Sequence, residues 1–206
     1  MTVIYEKLAV IGIGLIGSSV ALAARRAGAV GHIVGCDADP AVMPEVEKLE
    51  LVDSFTDDAV AAVADADLVV MAVPVGTVGA LAAEIIPAMK DGAVLTDTGS
   101  TKRSVIRDVA PHLQPHVHWL PSHPLAGTEH SGPAAGFADL FTGRYWLLIP
   151  GEVPEDEVAR FENFVTAMGS VGERMDADYH DKVLALTSHL PHLIAYTIVS
   201  TAVDLE

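Results

Sequence analysis

Short, wholly apolar runs alternate along this chain with longer stretches in which apolar residues recur every three or four positions. Residues 8–13 form one such run, broken at Gly12, and residues 15–27 behind it are rich in helix formers, which predicts a strand, a turn and a helix. Residues 32–36 and 68–73 predict further strands, the second apolar throughout, as a strand buried on both faces must be. Residues 76–89 predict a helix and 94–97 another strand, while 41–49 and 59–66 fit short helices covering the sheet faces. Later, 146–149 and 172–175 are expected to extend the sheet, with a helix over 155–167 between them. Alternation of this kind specifies an α/β fold with a doubly wound, mostly parallel sheet. Asp176 then offers an acidic N-cap for a new helical stretch. The division expected is a doubly wound α/β domain over residues 1–175 and the start of a C-terminal helical domain over 176–206.

Gly12, Gly14 and Gly17 stand at the first strand-to-helix turn, with Leu15 and Ile16 between the last two. In such a turn the first glycine permits the tight bend, the second lets backbone approach a pyrophosphate, and the third lets the helix pack on the strand. Phosphates would lie at the positive end of the helix, where unpaired N–H groups point. This is a Rossmann-type dinucleotide fingerprint, and the strand before it and the helix after it supply the context that glycine spacing alone lacks. Asp37 closes the second strand about 20 residues past Gly17, where a carboxylate accepts hydrogen bonds from both hydroxyls of an adenosine ribose. The alternative is that it caps the turn into Asp39-Pro40. No arginine occurs in residues 38–47 to offset the charge of a 2′-phosphate, so NAD is expected rather than NADP. Val73-Pro74 and Thr98-Gly99-Ser100 fall just beyond strand C-termini, where ligands lie in such sheets, although ordinary loop chemistry also puts Pro and Gly there.

With 206 residues, half of them hydrophobic, the chain can bury one good core, or one core with an appendage. Its longest apolar runs are strand-length, its start lacks the basic and apolar regions of a signal peptide, and its single cysteine, Cys36, cannot form an internal disulfide. A cytoplasmic protein that does not enter membranes is expected. No cysteine or histidine spacing suits zinc, and no metal is expected. The net charge of −16 at pH 7, with 12 scattered Lys and Arg, argues against nucleic acid as a partner. It also means that any anionic substrate must be held by local cations against an unfavourable field. Lys102, Arg103 and Arg144 lie near the predicted site loops and read as solvated surface charges.

His123 opens the run His-Pro-Leu-Ala-Gly-Thr-Glu. Downstream of a dinucleotide site, its ring is expected to face a nicotinamide rather than fill a core. Hydride loss from an alcohol carbon needs an acceptor for the hydroxyl proton as carbonyl character develops. A neutral imidazole, with an ordinary pKa near ~6.5, suits that role, which typically contributes about 10² to 10⁴ in rate. A second histidine pair, His189 and His192, would share a helix face, but Pro191 between them predicts a break or a helix start. Two histidines without a third ligand do not make a metal site.

Taken in order, residues 12–17, 97–100, 123–129 and 188–192 resemble the prephenate dehydrogenase family, which includes arogenate and cyclohexadienyl dehydrogenases, over nearly the whole chain. The resemblance implies NAD-dependent oxidative decarboxylation, from prephenate to 4-hydroxyphenylpyruvate or from arogenate to tyrosine. It implies that His123 is the base and that Ser100 lies between nicotinamide and substrate hydroxyl, donating to one and accepting from the other. It places Thr128 and Glu129 near the substrate mouth and His189 and His192 along the active site, His192 being the better candidate for substrate contact. Ser100 could also cap the helix starting near Thr101, and Thr128-Glu129 could be only an exposed turn.

Members of the family continue into a helical domain that makes a dimer and supplies an arginine for the substrate's ring carboxylate. This sequence stops at Glu206, and residues 190–203 have the composition of the first such helix. The expectation is NAD binding with weak turnover alone, and a homodimer where the helical domain is complete. Two other readings stay open. One is a β-hydroxyacid dehydrogenase, which usually relies on a lysine that the His123 motif does not offer. The other is a nucleotide-binding module without catalysis.

Overall fold

A computed structural model of the chain describes residues 2–203. β1 (Tyr5–Ile11) leads through the glycine turn into α1 (Leu15–Ala27), and β2 (Val30–Cys36) returns parallel to β1. There follow α2 (Met43–Lys48), β3 (Ser54–Thr56), α3 (Ala59–Val63), β4 (Leu68–Met71), α4 (Val78–Ile85), β5 (Ala93–Asp97), α5 (Lys102–Val109) and β6 (Val117–Trp119). These strands form one parallel sheet in the order β3-β2-β1-β4-β5-β6. The order reverses at β1, so its C-terminal end faces a crevice between the connections leaving on either side, where α/β sheets take ligands. The Gly12 N–H donates to the Cys36 carbonyl and the Ala72 N–H to the Ile11 carbonyl, both at 2.7 Å, which fixes the floor of that crevice.

β1 shows why the strands read as unbroken apolar runs. Leu8 and Val10 pack into one core layer with Trp146, Phe161 and Phe164, while Ala9 and Ile11 pack into the other with Met71, Ile85 and Val105. Successive side chains point to opposite faces, and helices cover both.

The later strands do not extend this sheet, which corrects the expectation for residues 146–149 and 172–175. β7 (Ser122–Pro124), β8 (Tyr145–Leu148) and β9 (Val171–Arg174) form a separate three-stranded sheet, with α6 (Glu155–Ala167) connecting β8 to β9. Pro121 supplies the reason. Leu120 still donates to the Leu95 carbonyl at 2.9 Å, but Pro121 has no N–H for the next rung, and its own carbonyl is taken by the Ile149 N–H at 2.9 Å. The chain therefore leaves the parallel sheet at this point, and β7 carries His123 just past the end of β5. Ser122 Oγ donates to the Asp97 carbonyl at 2.8 Å and ties the two sheets together.

α7 (Ala177–Leu184) starts at Asp176, whose carboxylate accepts the Tyr179 N–H at 2.8 Å. The helix does not break at Pro191. It passes through a wide, π-type turn at Ala185–His189 into α8 (Leu190–Val203). Pro191 cannot donate to the carbonyl four residues back, and the wider turn shifts the pairing where that donor would be missing. Residues Ala177–Thr201 are long and apolar enough to cross a membrane by length and composition, with mean hydropathy 1.3. The first turns of this helix are nevertheless anchored to α5, where Asp181 accepts backbone N–H groups, and Leu193, Ile194 and Ile198 stand exposed further along.

Candidate active site

Three cavities adjoin along the C-terminal edge of the parallel sheet. The first, about 720 Å³, is bordered by Gly12, Gly14, Asp37, Val73 and Pro74. The second, about 530 Å³, shares Gly14, Val73 and Pro74 with the first and adds Leu15, Ile16, Thr98 and Gly99. The third, about 770 Å³, is bordered by Thr128, Glu129, His189 and His192. Ser100 and His123 border both the second and the third. Of the residues assigned to the site from the sequence, Gly17 alone lies behind these walls, and the three cations Lys102, Arg103 and Arg144 border none of the three cavities.

The glycine turn is shaped by contact. Gly12 has φ +94°, open to glycine at little cost, and a Cβ on Gly17 would stand 1.9 Å from the Gly12 carbonyl oxygen. A Cβ on Gly14 would meet nothing within 4 Å. Gly14 is the N-cap of α1, which has no side-chain cap and no acidic residue in its first turn. The free N–H groups and the open approach fit the pyrophosphate of a dinucleotide. Gly17→Ala is expected to push α1 away from the turn, costing about 1–3 kcal/mol of stability and weakening NAD binding. Thermal melting and NAD titration of the variant check this, and an unchanged affinity would contradict it.

Asp37 bonds the turn toward Asp39 and also faces the first cavity. Its carboxylate accepts the Ile13 N–H at 2.8 Å and the Asp39 N–H at 3.0 Å while bordering the first cavity. Each carboxylate oxygen keeps capacity for a ribose hydroxyl. Asp57, Asp58 and Glu84, which the sequence did not single out, border the same cavity and make it more hostile to a 2′-phosphate.

Below Ser100 and His123 lies a buried polar layer. Lys102 is fully buried, which corrects its reading as a solvated surface charge. Its ammonium is paired with the equally buried Asp97 and donates to the Ser122 carbonyl at 2.5 Å. Asp97 further accepts the Gly99 N–H at 2.8 Å, and Ser122 Oγ accepts the Trp146 indole N–H at 2.9 Å. Burial pushes the Asp97 carboxyl up and the Lys102 ammonium down, and their mutual attraction opposes both shifts. Arg103 is solvent-exposed and pairs with Asp178 at 3.1 Å, and Arg144 is exposed as well.

His123 is held neutral. Burial lowers its pKa to about 3, helped by the Lys102 charge and by His180 and His189, with Asp181 acting in the opposite direction. A neutral imidazole keeps a free lone pair, but so low a pKa also makes it a weak proton acceptor, and a bound anion beside the ring would raise it toward the operating pH. Its Nδ1 lies 3.0 Å from His180 Nε2, and the two rings meet at 60°. Ser100 Oγ has no protein partner among the described residues. It does not cap α5. Thr101 occupies the N-cap without a side-chain bond, and the carboxylate of Asp181 caps the helix instead, accepting from Lys102 N at 2.8 Å and Arg103 N at 3.0 Å.

The third cavity is lined on its far side by the π-type turn and the start of α8, which bring His189, His192 and Tyr196 to one wall. π-type turns recur at functional sites. His192 Nδ1 bonds the Ser188 carbonyl at 2.9 Å. Glu129 is largely exposed and lies 3.5 Å from His130. Among the described residues, no Lys or Arg borders this cavity, and no group of three His, Cys, Asp or Glu is placed to hold a metal. His180, Asp181 and Tyr196 were missed in the sequence because no motif contains them. Only the packing of α7 on α5 and the continuity of the helix past Pro191 bring them to the site.

Residues 20–173 match the family model for the prephenate dehydrogenase nucleotide-binding domain, and residues 176–206 match that for the prephenate dehydrogenase dimerization domain. Cyclohexadienyl dehydrogenase of Zymomonas mobilis subsp. mobilis is 42% identical, over 95% of this chain and 67% of that protein. Prephenate dehydrogenase of Lactococcus lactis subsp. cremoris is 32% identical, over 94% of this chain and 53% of its own length. The chain thus spans about half to two thirds of the length of these relatives. The crystal structure of Aquifex aeolicus prephenate dehydrogenase in complex with hydroxyphenyl propionate and NAD+ superposes with a TM-score of 0.89 at 28% identity, covering 98% of this chain and 70% of that one.

Proposed function

The chain belongs to the prephenate dehydrogenase family, and we propose that it oxidatively decarboxylates prephenate, arogenate or both, using NAD, as a cytoplasmic homodimer joined through its helical part. The observation that carries this reading is that Ser100 and His123 border both the dinucleotide crevice and the cavity beside it. A substrate in the third cavity and a nicotinamide in the second would meet at these two side chains. Residues 1–175 hold the cofactor, and the helix opening at Asp176 begins the substrate and dimerisation part. The exposed apolar side chains of α8 are the surface we assign to that dimer rather than to lipid, because the same helix is anchored to α5 at Asp181.

NAD+, held by Gly14, the α1 N-terminus and Asp37, supplies the hydride acceptor. His123 draws the substrate's hydroxyl proton as hydride leaves the carbon that bears it. Ser100 Oγ, without a partner among the described residues, donates to or accepts from the same hydroxyl and holds it against the imidazole. The bond to the ring carboxylate breaks, its electron pair restores aromaticity, carbon dioxide departs, and the proton returns from His123 to the phenol oxygen. Thr128, Glu129, His189 and His192 surround the rest of the substrate. Among the described residues no Lys or Arg borders this cavity, and a bidentate arginine is the natural clamp for a substrate carboxylate. Among the described residues no lysine borders the second or third cavity, and Lys102 is buried against Asp97, so the lysine on which a β-hydroxyacid dehydrogenase would rely is not found at this junction. The test is NADH formation by the intact protein with prephenate and arogenate in parallel, each with NAD+ and NADP+. Turnover of at least one substrate, with NAD+ preferred, is expected, and NAD binding without turnover of either would overturn the assignment.

A further inference from the structure

His180 is completely buried, and both of its ring nitrogens are engaged. Nδ1 lies 2.8 Å from Asp181 Oδ1, and Nε2 lies 3.0 Å from His123 Nδ1. Asp181 is itself pinned by the Lys102 and Arg103 N–H groups at the start of α5. Burial pushes the Asp181 carboxyl up, but those two amides and the His180 ring bring it below the usual carboxylate range. It is therefore ionised and can only accept.

The direction of each proton follows from that single fact. An acceptor-only carboxylate places the His180 proton on Nδ1, and a neutral imidazole then offers only a lone pair at Nε2. Facing that lone pair, His123 Nδ1 must be the donor. The proton of His123 sits on Nδ1, and its Nε2 is left as the free base. Given the dehydrogenase reading above, on which this rests, we propose that His180 and Asp181 are positioning residues that set the tautomer of His123, so that Nε2 is the nitrogen that meets the substrate hydroxyl. They stand on α7, outside the nucleotide-binding part. The helical extension thus orients the base through a hydrogen-bonded chain as well as bordering the substrate cavity. A charged or misoriented His123 could not take the proton, and Lys102, His180, His189 and Asp181 are the ionisable groups that act on it.

A purely structural role for His180 makes a different prediction. Phenylalanine would then be the better replacement, since it keeps a ring in an apolar-sized space, whereas glutamine restores an acceptor near Nε2 but packs less well. Under the proposal, His180→Phe lowers kcat by about 10²-fold with little change in KM or NAD affinity, and His180→Gln recovers most of the loss. The second readout is ¹⁵N NMR of the substrate-free protein, with the His123 resonance assigned by its absence in His123→Asn. The Nδ1–H tautomer is expected. An Nε2–H tautomer in the unsubstituted protein, or a His180→Phe variant as active as His180→Gln, would overturn the proposal. Because the tautomer is read without substrate, an Nδ1–H result in a protein that turns over neither prephenate nor arogenate would leave the relay standing and remove the assigned reaction instead.

Discussion

His123→Asn is expected to lower kcat by about 10²- to 10⁴-fold while leaving NAD binding in place, as measured by steady-state NADH formation and by direct titration of the cofactor. An asparagine amide has a similar reach but no basic nitrogen, so it can hold the substrate hydroxyl without taking its proton. The proposed cofactor residues, Gly14 at the head of α1 and Asp37 at the end of β2, border the first two cavities away from the ring. Some structural cost arises because His180 loses a partner at 3.0 Å, but His180 keeps its bond to Asp181. A non-catalytic nucleotide-binding module would show no activity to lose. Retention of near-normal kcat in the variant would remove His123 from the chemistry.

The largest expected effect on stability comes from one step deeper. Lys102→Met leaves the Asp97 carboxylate fully buried without its cation, and breaking such a pair from one side costs about 3–5 kcal/mol. For a chain of this size that corresponds to a melting temperature lower by roughly 6–20 °C. Activity should fall as well. The Lys102 ammonium bonds the carbonyl of Ser122, the residue before His123, so its loss frees the strand that aims the imidazole. A melting temperature lowered by less than roughly 2 °C would show that Asp97 relaxes into its neutral form or finds other partners.

Much of this architecture was legible in the chain because strong local signals agreed. Residues 15–27 and 155–167 read as helices and are helices with those bounds, since each combines helix formers with an apolar stripe that meets the core. The parallel sheet followed from apolar runs buried on two faces. What escaped was set by contacts distant in sequence. β3 and β6 are three residues each, too short to leave a periodic trace. The second sheet depends on a missing donor at Pro121, and the continuous C-terminal helix depends on a π-type turn that accommodates Pro191. At the site, the motif residues could be grouped in advance because each stands beside a strand end or in a distinctive run. Lys102 looked like any surface lysine, because nothing local shows that the start of α5 turns inward over Asp97. His180 and Asp181 lacked any signal beyond the Asp176 cap that precedes them, which predicts a helix and says nothing of the face it presents to α5.

In the proposed reaction a hydride and a proton leave neighbouring atoms of the substrate, the ring carbon and its hydroxyl oxygen, at the junction of the two cavities. The most direct measurement supplies the intact protein with NAD+ and substrate carrying deuterium on the ring carbon that bears the hydroxyl, then analyses the reduced cofactor by mass spectrometry. One deuterium in the cofactor is predicted for the unsubstituted protein, appearing about 10²- to 10⁴-fold more slowly when His123 is replaced by Asn. Aromatic product formed without deuterium in the cofactor would contradict the account.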